Sequence, residues 1–351
     1  MTGVDEYAAP QRIINATAPI RICDIGGWTD TWFAGHGKVL NIAVNPGVEV
    51  KVKVRPAGSP PASVILEVKN YGDRYAYELG AGPGHHPLLE AAIEEIGLPA
   101  NASVEISISS EVPAGSSTGT SASTTVALIG ALDALTPGPM TPRQVAYAAH
   151  RVETERLKVQ SGIQDQLCAA YGGINYIEIS PYPDACVSQL SVPDATWRKL
   201  ERRIALVSLG RTHVSSTLHD RVIARWAHEG PSSPPLEELR RAADAARDAV
   251  LNGDLRALGG AMIDNTDAQR SLHPGLVCPD AETVIDVAAS CGAVGWKVNG
   301  AGGNGGTLTV LSGPDASARD LGRLLASADP RFEVISTQLS LDGLRVWESQ
   351  T

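Results

Sequence analysis

The chain has 351 residues, of which 43% are hydrophobic and 19% are charged, and its formal net charge is −10. This composition excludes a disordered chain, and the acidic balance disfavours a broad nucleic-acid-binding surface. At roughly 150 residues per domain, the length predicts two domains.

The sequence contains no signal for a membrane or for secretion. Its apolar run 126–132 is closed by Asp133 and is far shorter than the ~20 residues of a transmembrane helix. The first residues lack the basic and apolar parts of a signal peptide. The five cysteines form no C-x-x-C pair, which indicates buried, reduced thiols. No H-E-x-x-H motif occurs, so no histidine-based zinc site is predicted. We therefore expect a cytoplasmic protein that contacts neither a membrane nor a nucleic acid.

The first segment that could carry chemistry is 18–30, with the sequence APIRICDIGGWTD. Arg21 and Asp24 lie in an apolar run, and Asp30 ends a Gly-Gly turn. Because buried charged side chains must be paired or functional, this segment predicts either a structural salt bridge or part of a site.

Two stretches predict strands with one buried face. Valines alternate with charged residues over 48–54, and apolar residues alternate with polar ones over 103–109. Such strands belong to antiparallel or mixed sheets. We therefore expect an α+β fold rather than a doubly wound parallel sheet.

A loop rich in glycine and hydroxyl groups, 113–123, connects the second of these strands to an apolar helix. Such a loop presents unpaired backbone N–H groups to an anion at the start of the helix, which favours phosphate binding. A Ser/Thr-rich turn with an N-cap is the alternative interpretation. No G-K-[ST] follows, so the loop is not a Walker A motif.

The third segment that could carry chemistry is 161–167, SGIQDQL, and a predicted helix precedes it. The residues 141–144, TPRQ, form a capping box with proline at the first helical position. Farther along, Glu153 could hold a magnesium ion or lie on a solvated helix face. Asp165 is a lone acid in an uncharged stretch, and it could deprotonate a hydroxyl or cap a helix that starts near Gln166.

The boundary between the two domains is predicted near residue 190, which gives domains of residues 1–190 and 191–351. It falls between predicted strands at 177–179 and 204–207. In the second domain, apolar spacing over 236–250 predicts a helix that ends at the Asn-Gly pair 252–253.

A second glycine-rich loop, 300–306, reads GAGGNGG and matches G-x-G-x-x-G. The strand predicted at 307–311 follows it, whereas the dinucleotide fingerprint requires a helix, so an oxidoreductase is disfavoured. The glycines indicate close approach of the backbone to a ligand or another loop, with a flexible hairpin as the alternative.

Taken together, the four segments resemble the GHMP kinase superfamily, because its signature segments occur here in order. The loop 113–123 is similar to the phosphate loop of that family, and 300–306 is similar to its third motif. Within the superfamily, the GGWTDT sequence of residues 26–31 and the segment 162–175 resemble the sugar 1-kinases, namely L-fucokinases and heptose-7-phosphate 1-kinases.

The resemblance implies a two-domain GHMP kinase fold with the active site between the domains, and ATP and Mg²⁺ as cofactors. It implies that Asp165 is the catalytic base, that Arg21 supports it, and that Ser121 and Glu153 ligate magnesium. The residues implied to bind the ATP phosphates are Pro113, Ala114, Gly115, Ser116, Ser117, Thr118, Gly119, Thr120 and Ser121. Those implied to bind the acceptor are Asp30, Trp28, Gly27, Gly302 and Gly303.

The activity implied is phosphorylation of the anomeric (C1) hydroxyl of a hexose or heptose, free or already phosphorylated, by a monomer or homodimer. Two alternatives stay open: a GHMP kinase acting on another alcohol, such as a mevalonate-like alcohol or a sugar 6-hydroxyl, and a non-catalytic ATP- and sugar-binding sensor. The chain departs from the family at Ser117, Thr118 and Asn304, and 265–276 lacks the W-x-x-K of many heptose kinases.

Overall fold

The computed structural model describes residues 12–55, 64–99, 102–113, 115–211, 216–314 and 318–350. The strands in these residues are β1 (Arg12–Ile25), β2 (Gly37–Val54), β3 (Val64–Val68), β4 (Asp73–Tyr77), β5 (Val104–Ser110), β6 (Ile174–Ile179), β7 (Ala185–Gln189), β8 (Ile204–Ser208), β9 (Ala293–Val298), β10 (Thr307–Ser312), β11 (Glu333–Ile335), β12 (Gln338–Leu339) and β13 (Arg345–Gln350). The helices are α1 (Pro87–Ile96), α2 (Thr120–Asp133), α3 (Pro142–Arg151), α4 (Gln164–Tyr171), α5 (Asp194–Arg203), α6 (Ser216–Trp226), α7 (Pro234–Asn252), α8 (Leu255–Leu272), α9 (Pro279–Ser290) and α10 (Ala318–Ala328).

In the part of the chain that the structure describes, the larger sheet contains nine strands, which come from both ends of the chain. Its main order is β13-β1-β2-β5-β3-β4, with β6 and β12 also paired to β2, and β7 paired to β6. The pairing of β3 with β5 is parallel, whereas β1 pairs with both β2 and β13 in antiparallel fashion. This mixed sheet with packed helices confirms the predicted α+β class.

The alternating pattern in β2 follows the two faces of this sheet. Val48, Val50 and Val52 are buried, whereas Glu49 and Lys51 are exposed. Successive side chains of a strand point to opposite faces, so the valines enter the core and the charged residues meet solvent. The strand predicted from this alternation is therefore confirmed.

The smaller sheet is antiparallel, with the order β11-β8-β10-β9. One of its faces packs on α9 and α10 in a core that includes Leu308 and Leu325. The predicted domain boundary near residue 190 falls between β7 and α5. The last strands, β12 and β13, nevertheless pair with β2 and β1 of the larger sheet. The division into residues 1–190 and 191–351 stays a prediction. Although β12 and β13 belong to residues 191–351 in sequence, both strands are part of the larger sheet.

A shared hydrophobic core joins the two halves of the chain. Ile20, Ile22 and Ile25 of β1 pack in the same cluster as Leu206 of β8 and Leu258 of α8. The end of β1, which carries the charged residues of the first segment, therefore lies where the two halves meet.

The helix signals in the sequence mark real helix ends. The Thr141 side chain accepts a hydrogen bond from the Gln144 N–H, and the Gln144 side chain accepts one from the Thr141 N–H. At the end of α7, Gly253 adopts φ 67°, the left-handed conformation that glycine favours. None of the helices described here is long and apolar enough to cross a membrane.

The five cysteines are free thiols. Cys23, Cys168 and Cys278 are buried, as predicted, whereas Cys291 is only half-buried. Cys186 is exposed because it lies on the solvent-facing side of β7, opposite the exposed Glu178 of β6.

Candidate active site

A cavity of about 1020 Å³ brings the predicted segments together. Its wall includes Arg21 and Asp30 of the first segment, the loop residues 115–121, and Asp165. From the second half of the chain, His219, Asp220, Gly300 and Ala301 complete the wall. Segments far apart in sequence thus form one site.

Arg21 and Asp165 form a two-bond ion pair in this wall. The Arg21 Nε donates to Asp165 Oδ1 at 2.8 Å, and its Nη2 donates to Oδ2 at 3.1 Å. The Arg21 side chain is 5% exposed and that of Asp165 is 25% exposed. Burial alone lowers the pKa of Arg21, but the charges of Asp165 and Asp24 outweigh burial and raise it above its usual value. The guanidinium is therefore fully charged and holds the Asp165 carboxylate in one orientation.

The position of Asp165 rules out the N-cap interpretation. Helix α4 begins at Gln164, with Ile163 at the N-cap position. Asp165 therefore lies inside the first turn of the helix, and its carboxylate is directed to Arg21 instead of the helix backbone.

The glycine-rich loop is held in place by Arg21. The Arg21 N–H donates to Thr118 O at 2.9 Å, and its Nη1 donates to Ser117 O. Gly119 precedes α2 in the left-handed conformation, and a Cβ there would lie 3.1 Å from Asp165 Oδ2. The first N–H groups of α2 have no partner within the helix, so the structure presents them beside the ion pair.

The remaining predicted loop residues are placed as follows. Ser116, Thr120 and Ser121 line the cavity, and Ser121 is exposed to solvent. Pro113 accepts a hydrogen bond from Ser116 Oγ at 2.6 Å, which closes the loop. Ala114 lies outside the described residues.

Asp30 is a buried carboxylate in the wall of the cavity. It is 3% exposed, and its Oδ2 accepts a hydrogen bond from the Gln164 N–H at 3.1 Å. Burial and then the charge of Asp165 raise the pKa of Asp30 to about 6. Gly162 packs on this carboxylate so closely that a Cβ at Gly162 would lie 1.9 Å from Asp30 Oδ2.

Trp28 forms an aromatic wall next to Asp30. It has φ 79° and packs edge-on against His219, with ring centroids 4.5 Å apart. Among the described residues, its Nε1 is buried without a hydrogen-bond partner. Since buried N–H groups are normally satisfied, this unpaired donor is an exception in a residue of the cavity wall.

Glu153 lies on a π-helical turn, Val152–Arg156, that follows α3. Its Oε2 accepts hydrogen bonds from Ser161 Oγ at 2.5 Å and Gln166 Nε2 at 3.1 Å. Burial raises its pKa to about 7. Glu153 therefore belongs to the cavity wall, and the interpretation as a solvated helix face is wrong.

Three glycines predicted to bind the acceptor are placed behind the cavity wall. A Cβ at Gly302 would lie 2.1 Å from Leu276 O, and the Gly303 N–H donates to the same oxygen at 2.9 Å. A Cβ at Gly27 would lie 2.9 Å from Asp24 Oδ2. These glycines permit close packing of loops, and Gly300 and Ala301 are the residues of 300–306 that line the cavity.

Asp24 and Lys297 form a buried pair that sequence reasoning missed. Lys297 is fully buried, and its Nζ lies 3.4 Å from Asp24 Oδ1. The Gly300 N–H donates to both oxygens of Asp24, at 3.1 and 3.0 Å. Burial opposes ionisation of Asp24, but Lys297 and Arg21 outweigh it and lower its pKa. The pair therefore fixes the second glycine-rich loop against the first segment. The sequence showed that Asp24 needed a partner but not which residue provides it.

The far end of the cavity is largely apolar and was also missed. It is lined by Val68, Tyr71, His86, Ile108 and Val112. These residues come from two strands and the loops around them, so no compact motif marks them in the sequence.

Comparison with known proteins finds a family-model match in part of the chain, several related kinases and similar solved structures. Residues 87–173 match the family model "GHMP kinases N terminal domain". A mevalonate kinase from Thermococcus sibiricus is 28% identical over 69% of this chain and 69% of its own length. An L-fucokinase/L-fucose-1-P guanylyltransferase from Bacteroides fragilis is 23% identical over 99% of this chain, which spans only 39% of that protein. Among solved structures, a D-glycero-D-manno-heptose 1-phosphate kinase from Bacteroides thetaiotaomicron has a TM-score of 0.74 at 20% identity, covering 96% of this chain and 100% of that one.

The family-model match over residues 87–173 and the kinases among the relatives agree with the resemblance to GHMP kinases that the sequence motifs predicted. The chain shares the two-domain fold of these kinases, as the sequence predicted. Its homologues are phosphotransferases that act on hydroxyl groups of sugars and related alcohols, so the predicted enzyme class is confirmed at that level.

Proposed function

We propose that the protein is an ATP- and Mg²⁺-dependent kinase that phosphorylates the anomeric (C1) hydroxyl of a hexose or heptose. The observation that carries this proposal is the Arg21–Asp165 pair, which contacts the glycine-rich loop and shares one cavity with Asp30.

The loop and the apolar end of the cavity fit a nucleotide. The N–H groups at the start of α2 suit phosphate oxygens, and the helix dipole favours their negative charge. Gly119 lets the loop pass close to Asp165, since a Cβ there would lie only 3.1 Å from Asp165 Oδ2 and the residue has a φ of 70°. Val68, Tyr71 and Ile108 offer a flat purine base an apolar surface.

Ser121 and Glu153 are the residues that would hold Mg²⁺. A hydroxyl and a carboxylate are hard oxygen ligands of the kind that Mg²⁺ prefers. Bound MgATP supplies the phosphoryl group and the neutralisation of its charge. Both side chains line the cavity on which the loop opens.

Asp165 is the group proposed to accept the proton of the attacking hydroxyl. The two hydrogen bonds from Arg21 fix both carboxylate oxygens, so the base is oriented before the acceptor binds. Arg21 also contacts the loop through Ser117 O. A single buried side chain thereby couples the position of the base to that of the phosphate loop.

Asp30 and Trp28 would hold the sugar. A carboxylate can accept hydrogen bonds from two ring hydroxyls, and the unpartnered Nε1 of Trp28 can donate a third. We propose that a sugar held in this way presents its anomeric hydroxyl to Asp165, which lines the same cavity. The similarity of residues 26–31 to the sugar 1-kinases supports C1 as the position phosphorylated.

A second candidate is phosphorylation of a mevalonate-like alcohol, which the 28% identity to a mevalonate kinase favours. Retention of the Arg21–Asp165 pair disfavours a non-catalytic sensor.

The experiment is a screen for ADP release in which the wild-type protein and Asp30→Ala are compared. The panel contains free hexoses and heptoses, their terminal phosphates, and mevalonate. We expect the wild-type protein to turn over a sugar. Asp30→Ala should have a much lower kcat/KM for that sugar and an unchanged KM for ATP. Turnover with mevalonate alone would replace the sugar with the second candidate.

A further inference from the structure

A second cluster of ligating side chains lies beside the far end of the cavity. Asp73 is the first residue of β4, and His85 and His86 immediately precede α1. One ligand atom from each of the three residues lies within 4.8 Å of the other two. No H-E-x-x-H motif marks this cluster, because a strand and a loop supply its members.

Both imidazoles converge on one carboxylate oxygen. His86 Nε2 lies 2.9 Å from Asp73 Oδ2, and His85 Nε2 lies 3.3 Å from the same atom. Two imidazole nitrogens and a carboxylate oxygen form a ligand set that Zn²⁺ and related divalent transition metals accept. Three protein ligands would leave a position on such a cation for water.

The cluster is held in shape by groups that are not ligands. The backbone N–H groups of His85 and His86 donate to Glu90 Oε1 at 3.0 and 3.1 Å, and Tyr75 Oη donates to the same oxygen at 2.8 Å. The Tyr75 ring packs on both imidazoles, and Tyr71 packs on His86. Because these contacts orient the rings, a cation would bind a site that is already formed.

We propose that Asp73, His85 and His86 bind a divalent transition-metal cation, with Zn²⁺ as the reference ion. In a cluster that only forms hydrogen bonds, each histidine donates its Nε2 proton to Asp73. In a metal site, both nitrogens carry lone pairs directed at the cation, and the proton of each ring is on Nδ1. The cation would tie β4 to the start of α1 and fix His86 in the cavity wall.

The test is calorimetric titration of the nucleotide-free, Mg²⁺-free protein with Zn²⁺ alone. His85→Gln is the main variant, because the His85 side chain is 58% exposed and its replacement leaves the core intact. His228→Gln is the matched control, since His228 is an exposed histidine in the turn after α6. His86→Gln provides a second ligand variant.

We expect one equivalent of Zn²⁺ to bind to the wild-type protein and to His228→Gln. Loss of a ligand should weaken binding at least about tenfold in His85→Gln and in His86→Gln, because loss of a residue that only hydrogen-bonds to a metal ligand already has an effect of about this size. With Co²⁺ as the probe, the spectrum should show no thiolate-to-metal charge transfer, since the ligands are nitrogen and oxygen. Failure of the wild-type protein to bind Zn²⁺, or equal affinity in His85→Gln, would overturn the proposal, as would a thiolate band.

Discussion

Glu153 allows the proposed magnesium site to be tested through pH. Its carboxylate is buried enough that its pKa is raised to about 7. A carboxylate must lose its proton before it can ligate a metal ion. Magnesium binding should therefore compete with protonation of Glu153 in the range where the enzyme is assayed, and the Mg²⁺ requirement should rise as pH falls.

The size of the effect follows from the ionised fraction. With a pKa of about 7, Glu153 is about 9% ionised at pH 6 and about 91% ionised at pH 8. If binding needs the ionised form, the Mg²⁺ concentration that gives half-maximal rate should be about tenfold higher at pH 6 than at pH 8.

The assay measures initial rates against Mg²⁺ concentration at fixed ATP, at pH 6, 7 and 8. Glu153→Gln should need more Mg²⁺ at every pH and should lose the pH dependence that Glu153 causes. ATP also titrates near neutral pH and changes the Mg²⁺ requirement of both proteins. The comparison is therefore between the pH dependence of the half-maximal Mg²⁺ concentration in the wild-type protein and in Glu153→Gln. Glu155→Gln is the matched control, since Glu155 lies on the same π-helical turn but is exposed.

Two results would refute this reasoning. If Glu153→Gln has the same Mg²⁺ titration as the wild-type protein, Glu153 is not a ligand. If Glu153→Gln needs more Mg²⁺ but keeps the full pH dependence, the titrating group is elsewhere and the raised pKa of Glu153 plays no part.

Two further predictions concern the base and the acceptor. Asp165→Asn should lower kcat by about 10²–10⁴-fold, the usual contribution of a general base, with KM for ATP little changed because Arg21 keeps its contact with the loop; near-normal turnover would exclude Asp165 as the base. Gly162→Ala places a Cβ 1.9 Å from Asp30 Oδ2, and overpacking of about 1–3 kcal/mol should lower kcat/KM for the sugar about 5–150-fold without a change in KM for ATP. Gly260→Ala is its control, since a Cβ there meets no atom within 4 Å; equal effects of the two substitutions would show that Gly162 acts only through folding.

Short-range signals explain why much of the fold and part of the site could be predicted. The capping box at Thr141 and the glycine at 253 depend on hydrogen bonds and backbone angles within a few residues. The alternation in β2 reflects the two faces of a single strand. The glycine-rich loop opens α2 because the strand, the loop and the helix are consecutive in the chain. Each of these features is complete within one stretch of sequence.

Long-range pairing explains what could not be predicted. The partner of Asp24, Lys297, lies 273 residues away, and no spacing rule connects them. The return of β13 to β1 depends on the register of two strands at opposite ends of the chain. The resemblance implies that Gly302 binds the acceptor, but only the tertiary structure shows that Gly302 packs on Leu276.

The structure of the product tests the central claim most directly. A sugar that supports ADP release should be converted in bulk, and the product examined by phosphorus NMR with proton coupling. Transfer to C1 predicts coupling of the phosphorus to the anomeric proton and loss of reducing-sugar reactivity in step with ADP formation. Coupling to any other proton of the sugar, with reducing power unchanged while ADP accumulates, would contradict the proposed C1 kinase.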